Sequence, residues 1–444
     1  MAAPSAPRPR FGTDGVRGVA NTQLTNDHAL ALGRAAVRVL RADEFVVGRD
    51  TRRSSRMLEA AFVAGLASEG AAVELLGDVP TPAVAFVGQQ RGIAGAMISA
   101  SHNPFGDNGI KLFASGGRKL RDEVEHAIDD ALDHLGAPTR SGADVGVIAD
   151  GAGDVEHYFE HLHAALGGRT LHGLKIVVDA ANGAASRFAG AVLRRAGADV
   201  VGIADQPDGV NINDHCGATH PDALAAAVVA NDAALGLALD GDADRLIAVD
   251  HTGAIIDGDQ VMAVLALDMK ARGALRANTV VVTVMTNLGF RLAMRDHNVD
   301  VVETPVGDRY VLAALDAGDY SLGGEQSGHV ILRDLATTGD GLLTGLLLAD
   351  AVVRSGRPLA ELAGVMRRLP QVLVNVRLTQ RRTGLLDDIA GEVVAAERRL
   401  NGEGRVLIRP SGTEPLVRVM VEAPTHEQAD EVARSLAAIV ERLA

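Results

Sequence analysis

A single cysteine, Cys216, stands among the 444 residues, so no disulfide can form within the chain, and that usage fits a reducing compartment. Set in Asp214-His215-Cys216-Gly217, the thiol reads as incidental rather than catalytic. Positive charge is also in short supply: 43 Lys and Arg against 57 Asp and Glu leave a net charge of −14. That balance argues against a broad nucleic-acid or anionic-membrane surface, which needs a basic face, but a small anion needs only a local basic pocket. No apolar run approaches the roughly 20 residues that span a bilayer; residues 341–353 are too few and contain Asp350. The first ten residues hold Pro4, Pro7 and Pro9 with two arginines and no apolar core. They are expected to be a disordered tail, not a secretory signal, and the expected location is the cytoplasm. Neither a Gly-x-x-x-x-Gly-Lys-Ser/Thr loop nor a Gly-x-Gly-x-x-Gly after a strand is present, which lowers the case for a nucleotide or dinucleotide.

What is present is a repeat. The apolar strand 45–48 leads through a polar loop to an Ala-rich helix over 55–69, which Gly70 ends before a second strand, 72–76. The same script returns at 174–179 with a helix reaching Arg195 and a strand at 200–203. It returns again at 279–284, with a helix to about Asp296 and a strand at 299–302. These runs are too apolar for half-exposed strands and suit parallel strands covered on both faces. The fold class expected is α/β: three similar mixed α/β domains around a central cleft, plus a smaller C-terminal α+β domain from about Pro370. The expected boundaries are 1–10 for the tail, 11–150, 151–253 and 254–368 for the three α/β domains, and 369–444 for the last.

Each unit adds one more short strand that empties into a polar, glycine-bearing loop, where open α/β sheets gather their ligands. In the first, strand 92–98 ends in Ala100-Ser101-His102-Asn103-Pro104, with Lys111 downstream. A serine there is placed to be a nucleophile or phosphoryl carrier, although the same residues also suit a polar turn. In the second, the loop is Asp240-Gly241-Asp242-Ala243-Asp244-Arg245. Three carboxylates this close repel one another unless a hard, oxygen-seeking divalent ion shares them. An EF-hand is excluded, because Arg245 and His251 stand where it needs glycine and an acid. An aspartyl-phosphatase loop remains a rival, though it carries Thr or Val in place of Asp244. In the third, Glu325, Ser327 and His329 alternate; the first two suit sugar hydroxyls or an amine, and the histidine can move protons. The glycine-rich stretch from Phe11 to Gly18 offers Arg17 as a phosphate clamp, or merely a tight turn with a solvated arginine. Late in the chain, Arg409, Ser411, Gly412, Thr413 and Arg418 surround a turn and combine guanidinium, hydroxyl and free N–H donors for a phosphate monoester.

These five stretches together resemble the α-D-phosphohexomutase superfamily, in its order and over everything after the tail, and within it the bacterial branch that acts on glucosamine phosphate. The resemblance implies interconversion of glucosamine 6-phosphate and glucosamine 1-phosphate through a 1,6-bisphosphate, feeding UDP-N-acetylglucosamine and cell-wall precursor synthesis. It implies a phosphoserine at Ser101, and one Mg²⁺ per chain held by that residue with Asp240, Asp242 and Asp244. Arg245 and Arg17 would steady phosphate charge, Lys111 and His329 would act as acid–base or electrostatic groups, and His102, beside the serine, would belong to the catalytic set with Ser101, Lys111, His329 and Arg17. Glu325 and Ser327 would hold the sugar, and the C-terminal loop the unreacting phosphate. A small-molecule partner, no nucleic acid, no membrane and a homodimer are further implications, as is hinge motion near Pro370. Ala243 departs from the pattern, which commonly has glycine there; little effect is expected unless the position needs a positive φ. Glucose or mannose phosphate mutases, a metal-dependent phosphatase using Asp240, and a non-catalytic sugar-phosphate sensor are the alternatives.

Overall fold

The computed structural model describes residues 8–12, 14–151, 153–378, 384–410 and 416–443. They fall into two compact bodies, one of residues 1–285 and 299–365 and one of 286–298 and 366–444.

The first body holds three sheets built to one plan. In each, three parallel strands lie in the order second, first, third, and a fourth strand returns antiparallel beside the third. The first sheet places Ala72–Asp78, Glu44–Arg49, Ala94–Ile98 and then antiparallel Asp107–Ala114 in that order. The second places Asp199–Ile203, Lys175–Asp179, Leu235–Leu239 and antiparallel Leu246–Asp250. The third places Asp300–Thr304, Thr279–Thr283, Leu322–Gly324 and antiparallel Val330–Leu332. The parallel strands read as unbroken apolar runs because helices cover both faces. Strand Ala94–Ile98 starts two residues later than the sequence suggests, because Gly92, at φ 68°, is spent ending the helix Thr81–Arg91.

This shared plan makes the three polar loops equivalent. Residues 99–106, 240–245 and 325–329 each join a third parallel strand to its antiparallel partner. The cores beneath stay separate: Phe45, Phe62 and Ile98 belong to the first, Val177 and Val249 to the second, Val281 and Ile331 to the third. Arg8, within the expected tail, is anchored to Asp133 at 3.0 Å.

The second body has a fully antiparallel sheet in the order Gln371–Arg377, Leu416–Glu422, Arg405–Pro410. Its C-terminal helix His426–Leu443 buries Ala429, Val432, Ala433, Leu436 and Val440 on the sheet's core, an i, i+3, i+4 stripe. The helix Leu288–Asp296 is tied in by Glu422, which is fully buried, salt-bridged by Arg405 at 3.1 Å, and accepts the Leu288 N–H at 2.8 Å.

Candidate active site

The loop after Ile98 turns back on itself at Ser101, whose backbone is left-handed at φ 53°. The Ser101 hydroxyl is buried and donates to Asp240 Oδ2 at 2.5 Å. Asp240 Oδ1 accepts the N–H of Arg245 at 3.2 Å. Asp240, Asp242 and Asp244 each offer an oxygen, all three within 4.8 Å of one another. Such a set fits a hard divalent cation, and a second observation agrees: Asp242 Oδ1 and Asp244 Oδ1 are buried with no hydrogen-bond partner among the described residues.

Electrostatics confirm how crowded the negative charge is. Burial first, and then Asp242 and Asp244, push Asp240 well above the usual carboxylate range. Burial acts on Asp244 too, but Lys111 and His329 outweigh it and hold that carboxyl well below its ordinary value. Lys111 projects from the strand Asp107–Ala114 and sets its Nζ 3.0 Å from Asp244 Oδ2 and 3.5 Å from Asp242 Oδ2. Burial would lower the Lys111 ammonium, yet Asp244 and Asp242 raise it far above the lysine range, so it stands here as a fixed cation. His329 is likewise raised: burial opposes its charge, and Asp244 and Asp308 overcome that. Its Nδ1 lies 3.6 Å from Asp244 Oδ2, and its Nε2 lies 3.3 Å from Asp308 Oδ2 and 3.0 Å from the Gly339 nitrogen.

Two arginines act on His102, the serine's neighbour. His102 Nδ1 is 3.3 Å from Ser101 Oγ, and its pKa is lowered by burial and then by Arg245 and Arg17. The Nε atoms of Arg17 and Arg245 are buried without a hydrogen-bond partner among the described residues. Arg245 Nε lies 3.7 Å from Asp244 Oδ1 and Arg17 Nη2 3.3 Å from Asp14 Oδ2, so both guanidinium groups are ion-paired, and their remaining N–H groups suit a phosphoryl group.

The sugar-loop residues are placed differently from one another. Glu325 Oε1 accepts the Gly307 N–H at 3.1 Å, and Ser327 Oγ is buried and unpartnered among the described residues. Gln326 turns away, donating to Asp257 Oδ2 at 3.3 Å; Asp257 caps the helix Gly258–Ala271. In the second body Arg409 and Arg418 sit opposite each other on paired strands. Ser411, Gly412 and Thr413, expected to complete that grip, lie outside the described residues. Cys216 is buried, its thiol pushed up to about 12 by burial and by Asp179 and Asp214, which suits an incidental residue.

Sequence reasoning missed several groups at this centre. Thr81, the first residue of its helix, donates its N–H to the Asp242 carbonyl at 2.9 Å and its hydroxyl to Asp242 Oδ2 at 2.6 Å. Lys119 bridges Asp14 and Asp308, the latter being the His329 partner. Arg52 and Asn213 donate to the Ser101 carbonyl, and Asp50 pairs with Arg52. The one signal available was the run Gly48-Arg49-Asp50-Thr51-Arg52 at the end of a parallel strand, where ligand-facing residues cluster.

Comparison with known proteins bears on the whole chain. Four domain models described as phosphoglucomutase/phosphomannomutase match in order: alpha/beta/alpha domain I over residues 8–137, domain II over 156–253, domain III over 257–369 and the C-terminal domain over 373–439. A phosphoglucosamine mutase of Thermobifida fusca is 56% identical over 439 residues, covering 97% of each chain. A crystal structure of a phosphoglucomutase/phosphomannomutase family protein from Burkholderia thailandensis superposes with a TM-score of 0.81 at 26% identity, covering 96% of this chain and 97% of that one. The N-acetylphosphoglucosamine mutase of Aspergillus fumigatus, solved with GlcNAc-6P and magnesium, shares the fold with a TM-score of 0.68 at 19% identity, over 98% of this chain and 96% of the other.

Proposed function

The chain belongs to the phosphoglucomutase/phosphomannomutase family, and we propose on that premise that it interconverts glucosamine 6-phosphate and glucosamine 1-phosphate through a phosphorylated Ser101. The observation that carries this reading is the buried Ser101 hydroxyl on Asp240 of the aspartate triad, with the guanidinium groups of Arg17 and Arg245 acting on the neighbouring His102.

The chemistry follows from those positions. A hydroxyl of the bound sugar phosphate attacks phosphorus; the bond from phosphorus to Ser101 Oγ breaks, and the sugar becomes a 1,6-bisphosphate. The bisphosphate turns over, Ser101 Oγ attacks its other phosphorus, and the isomerised monophosphate leaves. Phosphoryl transfer of this kind depends on position and charge neutralisation more than on covalent chemistry by the protein. Arg17 and Arg245 hold the equatorial oxygens, Lys111 supplies a fixed positive charge, and His329 or His102 exchanges the hydroxyl proton. A divalent cation held by Asp240, Asp242 and Asp244 would neutralise charge on the transferring group. Glu325 and Ser327 orient the sugar, and the paired guanidinium groups of Arg409 and Arg418 give the second body donors suited to a phosphate. The reducing-type cysteine usage supports a cytoplasmic setting, and among the described residues no helix is long and apolar enough to cross a membrane.

The phosphatase alternative needs a free Asp240 carboxylate. Both Asp240 oxygens are engaged, by Ser101 and by the Arg245 N–H, which favours the serine as the group that carries phosphate. Phosphorus NMR with glucosamine, glucose and mannose 6-phosphates tests the proposal. Fast formation of the 1-phosphate from glucosamine by a wide margin, abolished in Ser101→Ala, is expected. Inorganic phosphate released by Ser101→Ala at the wild-type rate would establish the phosphatase, and a preference for glucose or mannose would move the sugar assignment.

A further inference from the structure

Serine is a poor residue for a left-handed turn, since only glycine and, less readily, Asn or Asp adopt one without help. Ser101 nevertheless holds φ 53°, and both faces of its peptide are gripped. Its N–H donates to Ser99 Oγ at 2.9 Å, and that hydroxyl donates onward to Asp50 Oδ2 at 2.6 Å. Its carbonyl accepts from Arg52 Nη2 at 2.8 Å and from Asn213 Nδ2 at 2.9 Å. The same two donors reach the next turn, binding the Asn103 carbonyl at 2.8 and 3.1 Å, and Arg52 also holds the Pro104 carbonyl. Arg52 is fully buried, and its charge is matched by Asp50 at 2.8 Å. It therefore serves the loop as a rigid fork of donors, not as a free charge for substrate phosphate.

The two donors come from opposite sides. Arg52 follows a strand of the first sheet, whereas Asn213 lies in the second domain, between its strand Asp199–Ile203 and its helix Asp222–Ala230. The metal-loop backbone closes the third side: a Cβ on Gly241 would lie 2.5 Å from the Ser101 carbonyl oxygen and 2.8 Å from Asn213 Nδ2. Ser101 can then move its side chain but not its backbone.

We infer that Arg52 and Asn213 are positioning residues that fix the Ser101 backbone, so that one Oγ position serves both phosphoryl transfers. The inference rests on the reading that Ser101 carries the phosphoryl group. A reaction in which the substrate reverses between two transfers needs one immobile point, and here the serine backbone is that point. In-line displacement tolerates little misplacement, and an error near 1 Å costs about 100-fold in rate.

The test uses Asn213→Ala, Asn213→Asp and Arg52→Lys in the full chain, with steady-state kinetics on glucosamine 6-phosphate, single-turnover transfer from glucosamine 1,6-bisphosphate to Ser101, and phosphorus NMR of the phosphoserine. Asn213→Asp is isosteric but presents carboxylate oxygens to two carbonyls, so it separates donation from packing. Expected are a kcat lower by about 10- to 100-fold, KM within about 3-fold of wild type, a larger loss for Asp than for Ala, the same loss in transfer from the bisphosphate, and a broadened phosphoserine resonance. Unchanged kcat, a loss confined to KM, or equal behaviour of Asn213→Ala and Asn213→Asp would overturn the inference. The Asn213 pair decides the matter whether or not Arg52→Lys folds. Wild-type protein that turns over without any phosphoserine at residue 101 would instead refute the reading beneath it.

Discussion

At the scale of single residues, the backbone angle at Ala243 answers a question its side chain left open. The position is left-handed, φ 57°, and fully buried. Its N–H is tied to the Asp240 carbonyl at 3.0 Å, and its own carbonyl accepts from Gly341 at 3.0 Å. A residue with a Cβ thus holds αL here, at a cost of about 1–2 kcal/mol. Ala243→Gly should be stable within about 1 kcal/mol and fully active, since relief of strain offsets added freedom in the unfolded chain. Ala243→Val adds a β-branch in αL and volume without a cavity, and should lose about 2 kcal/mol or more. Thermal unfolding of the two variants decides it, and a valine variant as stable as wild type would mean that this turn is not strained. The sequence made Ser101 and the three aspartates readable because their residue types are chemically unusual at the end of an apolar strand. It could not make Arg52 readable. A buried arginine that binds three carbonyls carries the same letter as a solvated one, and only packing separates them.

Among secondary-structure elements, the parallel strands were legible because strands covered on both faces lose all polar alternation. The returning antiparallel strands were not. Leu246–Asp250 is as apolar as its parallel neighbours, so only its pairing with Leu235–Leu239 reveals its direction. Two-residue strands such as Ile255–Ile256 are too short for any period to register. Helix ends were legible where glycine marks them, as at Gly70, whereas the cap at Asp340 shows only in the structure. It accepts the Leu343 N–H at 2.9 Å and the Tyr158 hydroxyl at 2.9 Å, and begins the buried helix Gly341–Ser355. Burial lifts its carboxyl from 3.8 to about 6, against the lowering effect of those donors. Between those two values the folded protein binds a proton at Asp340 that the unfolded chain releases. The contribution is therefore fully present below pH ~4 and is lost as the pH rises through 6, on the order of 3 kcal/mol in all. Asn is an equally good cap and does not titrate. Asp340→Asn should accordingly lose less stability between pH 5 and pH 8 than wild type does, by on the order of 1.4 kcal/mol in denaturant unfolding. An unchanged pH slope would show that Asp340 is not the group responsible.

For the molecule as a whole, the first and third sheets have separate apolar cores, and charged side chains join them. Lys119 bonds Asp308 with both side chains more than nine-tenths covered, and Arg309 reaches Glu125 at 3.1 Å. Further out, Arg118 pairs with Asp316 where their side chains are 53% and 31% exposed. The two kinds of pair should behave differently. An exposed pair is screened by water and is worth up to about 1 kcal/mol. Removing one partner of a covered pair leaves a charge without compensation and typically costs about 3–5 kcal/mol. Lys119 retains Asp14 at 3.3 Å, and Asp308 retains His329 at 3.3 Å, so the lower end of that range applies to Lys119→Met or Asp308→Asn alone. The double variant removes both charges together and should be far less destabilised than the sum. A double-mutant cycle should return a coupling of about 1–3 kcal/mol for this pair and under about 1 kcal/mol for Arg118 with Asp316. Because Asp308 also faces His329, the covered cycle should register in turnover as well as in stability, whereas the exposed one should leave turnover unchanged. Equal coupling in the two cycles would mean that burial does not set the strength of this joint, and that the seam between the first and third domains is held by something other than Lys119 and Asp308.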